Sequence, residues 1–286
     1  MKRVVMLGLG LAGMAATPAW ADEQYFGYTY SAELLGKGQT EAEFWATDRR
    51  GKSDGHFDAQ DYRFELEHGV TNRFSVSGYA NFAGHHIRND EQRIDRDFAL
   101  RGLSAEFKYQ LLSPYKDGLG LTLYAEPAWS KIHGGGEKGT ELELEFKALI
   151  QKNFLDDRLI WAANLTFEPE WEKKEEEVDP ATGRTESEWA KELKVEVSSG
   201  VTYRVANGWY AGVEGRYASV YPDWTNGLHR ETYAVFAGPV IHYGGKKWWA
   251  TLSYQPQLFG GPSPVGSRAL DEYEKREIRL KLGYNF

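Results

Sequence analysis

Cysteine is absent from the 286 residues, which excludes a disulfide framework, a Cys-ligated zinc site and a thiol nucleophile. Basic charge is in deficit, with 34 Lys and Arg against 42 Asp and Glu, a net of −8. That balance argues against a nucleic-acid partner, whose phosphates call for a basic face. Long apolar runs are missing after the first few residues, so no helix of about 20 apolar residues can span a membrane downstream. Hydrolase signatures are missing as well: neither Gly-x-Ser-x-Gly nor His-Glu-x-x-His occurs.

The one apolar run, Val4–Ala16, follows Lys2 and Arg3 and precedes Ala19-Trp20-Ala21. A basic start, a short greasy stretch and small residues at the two positions a signal peptidase reads predict a secretory signal over 1–21. Residues 22–37 are then expected to form a periplasmic N-terminal segment and 38–286 an outer-membrane barrel. Loss of Lys2 and Arg3 with the leader would make the net charge two units more negative.

What the sequence does have is alternation. Mean hydropathy is −0.58, as for a soluble globule, yet aromatics reach 14% and glycines number 31. A transmembrane β-barrel reconciles these values, because alternate residues face lipid and a polar interior and the mean hides both. In "GTELELEFKALI", Leu142, Leu144, Phe146, Ala148 and Ile150 share one parity, while Glu141, Glu143, Glu145 and Lys147 take the other. A period of two fits a strand with one apolar face, not a helix. Twelve such segments predict an all-β, antiparallel up-and-down barrel of about 12 strands. Short links near 68–73, 113–118, 155–158, 205–208 and 244–247 alternate with longer ones near 48–57, 84–97, 131–139, 172–188, 222–230 and 259–272. This is the pattern of short periplasmic turns and longer extracellular loops.

The chain ends "REIRLKLGYNF", with Leu280, Leu282, Tyr284 and Phe286 on one parity. A lipid-facing closing strand with aromatics at the periplasmic interface accounts for that ending. Those four residues are the expected signal for the barrel assembly machinery, one of the expected partners beside outer-membrane lipid and lipopolysaccharide.

Faces opposite the apolar ones supply the expected lumen: Glu65, Glu67, Glu106 and Lys108; Glu141, Glu143, Glu145 and Lys147; Glu196, Glu214, Arg216, Arg279 and Lys281. So many ionised groups require hydration or pairing. Two readings follow. The lumen is a narrow channel for passive diffusion of small solutes, its acidic excess favouring cations; or the barrel is braced and plugged by its own ion pairs and transports nothing. An outer-membrane hydrolase is the third reading, resting on His56, His85, His86, His133 and His229 with Ser130 near His133, and single loop histidines are more often solvated than catalytic. No catalytic residue, metal site or cofactor is assigned; adjacent His85 and His86 in a strand would point to opposite faces.

"FELEHGVTNRFSVSGYANF" resembles the first hairpin of many Gram-negative outer-membrane proteins, including the phenol meta-pathway barrels. The preceding "FGYTYSAELLGKGQTEAEFW" is closer to one uncharacterised outer-membrane barrel family, a domain of unknown function. The resemblance implies the barrel and brings no catalytic or binding residue. In the hairpin, Gly69 is expected to permit a tight turn and Asn72 to tolerate a left-handed conformation.

Overall fold

The computed structural model describes residues 24–89, 93–174, 189–262 and 267–286. The expected leader falls outside them. Twelve strands follow one another: β1 (Thr40–Arg50), β2 (His56–Thr71), β3 (Phe74–Arg88), β4 (Arg93–Leu112), β5 (Gly120–Ile132) and β6 (Lys138–Phe154), then β7 (Leu159–Lys174), β8 (Ala190–Ala206), β9 (Trp209–Pro222), β10 (Thr232–Gly244), β11 (Trp248–Gly261) and β12 (Arg276–Asn285). Each pairs antiparallel with its chain neighbours, and β12 closes on β1 from Glu41 opposite Asn285 to Arg50 opposite Arg276. Closure leaves no free strand edge, so the hydrogen-bonded ladder runs right round the wall, as lipid demands.

The alternation sorts the side chains as read. Along β6, Leu142 and Phe146 are exposed on the outer face while Glu141 is buried within. On β2, Leu66 is 56% exposed and its neighbour Glu67 is 0% exposed. An exposed leucine beside a buried glutamate inverts the soluble pattern, as expected when the solvent outside is lipid. Leu280, Leu282, Tyr284 and Phe286 all lie on that outer face.

Two aromatic belts frame the apolar band. At the short-turn end, Tyr243 packs on Trp209 and Trp248 with ring centroids 4.9 and 4.8 Å apart, and Tyr284 packs on Phe286 at 5.4 Å. Toward the other end, Phe82 and Phe98 stack at 4.7 Å and Tyr217 on Tyr233 at 5.7 Å. Rings of this kind favour the two membrane–water interfaces.

Several links differ from expectation. The expected link at 84–97 is largely strand, since β3 runs to Arg88 and β4 starts at Arg93, paired as far as Arg88 opposite Arg93. Beyond the membrane the outer face of the ladder needs no apolar parity, because water rather than lipid covers it, while the inner face stays buried at His85 and Ile87. The expected link at 172–188 lies mostly outside the described residues. Gly69 is not in the turn: β2 continues to Thr71, and only Asn72 and Arg73 make the bend. A Cβ at Gly69 would meet the Gly36 carbonyl at 2.2 Å. That glycine therefore serves close backbone approach. Asn72 is not left-handed either; its Oδ1 accepts from the Lys37 amide at 3.1 Å.

Candidate functional site: the occupied lumen

Of the segment 22–37 expected in the periplasm, residues 24–35 lie elsewhere. Gln24–Leu35 enter the barrel, and every one of these residues is buried. The chain starts among the short-turn ends of β9–β11, where Tyr25 packs edge-on to Tyr210 at 5.1 Å and beside His242. It rises to Tyr28 and Tyr30, descends past Ala32, and leaves along Gly36 to enter β1.

Among the described residues no strand pairs with this segment, so its backbone polar groups must find other partners. Wall side chains supply them. Glu214 accepts from the amides of Gly27, Tyr28 and Thr29 at 2.7, 3.0 and 3.2 Å. Asn164 accepts from the Tyr30 amide at 2.6 Å and donates to its carbonyl at 3.0 Å. Gln151 accepts from the Ala32 amide at 2.9 Å, and the Ala32 carbonyl accepts from Thr122 and Gln110. Two glycines make room: a Cβ on Gly27 would fall 2.5 Å from the Ser253 Cβ, and one on Gly200 2.5 Å from the Phe26 ring.

Its two central tyrosines are held by cations. The Tyr28 ring faces the guanidinium groups of Arg279 at 3.9 Å and Arg216 at 4.4 Å. The Tyr30 ring faces the ammonium groups of Lys147 at 4.2 Å and Lys281 at 4.8 Å. Away from water, each such contact is worth up to about 2 kcal/mol. Lys281 also lies 3.8 Å over Trp45.

Above Tyr28 and Tyr30 is a cavity of about 270 Å³, walled by strands from both halves of the barrel. Of the residues read from sequence as lumen-lining, Glu143, Glu145, Lys147, Glu196, Arg216 and Arg279 line it. The others point inward at different levels. Lys108 is buried between Glu67 at 2.9 Å and Glu106 at 3.2 Å, Glu65 is buried on the same wall, and Glu141 and Lys281 are also buried. Glu214 serves the segment, as described.

Most of the ionised groups are paired. Arg101 bridges Glu141 at 3.4 Å and Glu143 at 3.6 Å, Lys147 meets Glu145 at 2.8 Å, and Arg63 meets Glu126 at 2.9 Å. Arg216 bonds Glu196 at 3.3 Å and also Glu277. Glu141 and Glu143 thus brace β6 to β4 through Arg101, while Glu145 pairs along its own strand. Toward the longer loops, Arg49 gathers Asp61 at 2.6 Å, Glu274 at 2.5 Å and the Gly134 carbonyl at 3.0 Å, drawing two loops over the mouth.

The histidines do not converge. His85 is buried inward while His86 faces out to Asp95 at 2.8 Å, the opposite facing expected of neighbours on a strand. His56 and His229 are exposed. His133 is buried rather than solvated, 2.5 Å from Glu172; burial opposes its charge, but Glu172 holds its pKa above the usual value. No hydrogen bond joins it to Ser130 among the described residues.

Sequence reasoning missed the segment itself, with Tyr28, Tyr30, Asn164 and Gln151. A signal was there. From Tyr25 to Leu35 the chain carries four aromatics and a single charge, Glu33, which suits a buried strand of chain better than a solvated tail.

A closed twelve-strand barrel with a lipid-facing outer surface and a polar interior is an outer-membrane β-barrel. Residues 18–286 match the model of a family of unknown function, DUF6662, and the chain belongs to that family. No curated protein matches it. The crystal structure of the COG4313 outer membrane channel from Pseudomonas putida F1 shares the fold at a TM-score of 0.54 and 13% identity, over 89% of this chain and 98% of that one. The NanC porin matches at 0.46 and 14% identity, over 86% and 100% of the two chains. The translocator domain of autotransporter NalP from Neisseria meningitidis matches at 0.49 and 10%, over 88% and 89%.

Proposed function

We propose that this outer-membrane barrel is a channel for small polar solutes that rests closed. The observation that carries the reading is the buried segment Gln24–Leu35, bound to the wall by side chains rather than by strand pairing. Such contacts can be exchanged for water without breaking the barrel ladder. Each hydrogen bond is worth only about 0.5–1.5 kcal/mol net, but their sum, with the buried aromatics, makes the open state rare. When the segment leaves, Glu214, Asn164 and Gln151 face a hydrated passage continuous with the cavity above. Buried Glu41, Glu43, Glu65 and Glu67 then give the short-turn half an acidic wall that favours cations.

Planar-bilayer recordings of the mature chain test this. Long closed intervals broken by cation-preferring openings are expected. A steady current, or silence at every voltage, would overturn it.

Orientation belongs to the same proposal: export by the 1–21 leader, short turns in the periplasm and the 172–188 link outside. An epitope inserted between Glu176 and Thr185 is expected to be tolerated and to label on intact cells. Labelling only after the outer membrane is permeabilised would reverse the assignment.

A further inference from the structure

Two opposite charges in the cavity wall stand apart from the pairing that governs the rest. Glu168, on β7, has no hydrogen-bond or ion-pair partner among the described residues; nearby Lys194 is taken by Glu170 at 2.5 Å. Arg279, on β12, bonds the Thr47 hydroxyl at 2.8 Å and the Gly27 carbonyl at 3.2 Å but meets no carboxylate among the described residues. Both are half-buried and both line the same cavity. In the closed ring of twelve, β7 lies five strands from β12 one way and seven the other, so the two face each other across the lumen.

We propose that this cavity binds a small zwitterion, its cationic end at Glu168 and its anionic end at Arg279. The remaining wall charges decide against a simple ion. Glu126, Glu145 and Glu196 are met by Arg63, Lys147 and Arg216, Arg101 is shared by Glu143, Glu141 and Asp61, and Asp61 is also held by Arg49, so these carboxylates are already engaged. A lone cation would satisfy Glu168 and leave Arg279 without a counter-charge, and a lone anion would do the reverse. A molecule carrying both charges satisfies both walls. About 270 Å³ is room for about nine waters, which suits a solute of amino-acid size. Tyr28, Tyr30 and Trp45 at the floor offer apolar surface to its carbon chain.

Arg279 also grips the buried segment, through the Gly27 carbonyl and the Tyr28 ring. An anionic group that takes the guanidinium weakens both contacts, so occupancy of the cavity favours release of the segment. This site rests on reading the cavity as the vestibule of a channel, but its binding can be measured without any current.

The test is calorimetric titration of the refolded mature chain in micelles with glycine, γ-aminobutyrate and ε-aminocaproate, against butylamine and butyrate. At least one of the amino acids is expected to bind about tenfold or more tightly than either singly charged analogue, a difference of about 1.4 kcal/mol. Glu168→Gln, which touches nothing in the buried segment, is expected to remove that advantage while the barrel keeps its heat-modifiable gel migration. Arg279→Gln should do the same and also loosen the segment. Equal affinity for the singly charged analogues, no binding of any amino acid, or wild-type affinity in Glu168→Gln would overturn the site. A chain that binds but never conducts sinks the channel reading alone; one that conducts and ignores all three amino acids sinks the site alone.

Discussion

Deletion of Gln24–Leu35 converts the resting barrel into a steadily conducting one, with an increase in mean current of at least about a hundredfold. The size follows from the closed state. If opening costs about 3 kcal/mol or more, the open fraction is below about 1%, and removing the segment removes that cost. The barrel itself is expected to survive, since none of the deleted residues takes part in a strand ladder and water can solvate the wall groups left behind. Gly27→Val reaches a similar state with the chain at full length, because even a Cβ there would lie 2.5 Å from the Ser253 Cβ. Bilayer recordings of both variants, with heat-modifiable migration as the check on folding, give the answer. A folded deletion variant that carries no current would show that side chains alone close the lumen, and the plugged, non-transporting barrel would then be the correct reading.

The second large effect is on stability. Lys108 is 2% exposed and bridges Glu67 and Glu106, themselves buried. Lys108→Ala leaves two carboxylates without that cation in a wall with little water, and breaking a buried pair in this way costs about 3–5 kcal/mol. Lys108→Met combined with Glu67→Gln and Glu106→Gln is expected to recover most of the loss, since removing all the charges also removes the desolvation penalty. Urea-induced unfolding in lipid vesicles measures both. A single variant within about 1 kcal/mol of wild type would mean that water reaches this part of the lumen.

The same contrast applies to Glu141, Glu143 and Glu145. Their parity in the sequence turns them inward, and they do face inward. Parity says nothing about what stands across the barrel, and it is Arg101, from β4, that meets two of them. Taken alone the row suggests a negative wall; with the partners in place Glu141 and Glu143 brace β6 to β4.

By itself the sequence determined the barrel, its twelve strands and which side chains face lipid, because a period of two is a local property and the bilayer imposes it on every strand separately. It also contained the aromatic closing strand, since Leu280, Leu282, Tyr284 and Phe286 carry their parity within seven residues. It did not show how far β3 and β4 extend, where water relaxes the pattern. Nor did it show that Gln24–Leu35 lie inside. That placement depends on Glu214, Asn164 and Gln151, between 119 and 187 residues distant along the chain, meeting one segment only after the ring has closed. That Glu168 and Arg279 meet no opposite charge among the described residues is of the same kind: which groups stand across the lumen is a fact about space, and only the tertiary structure decides it.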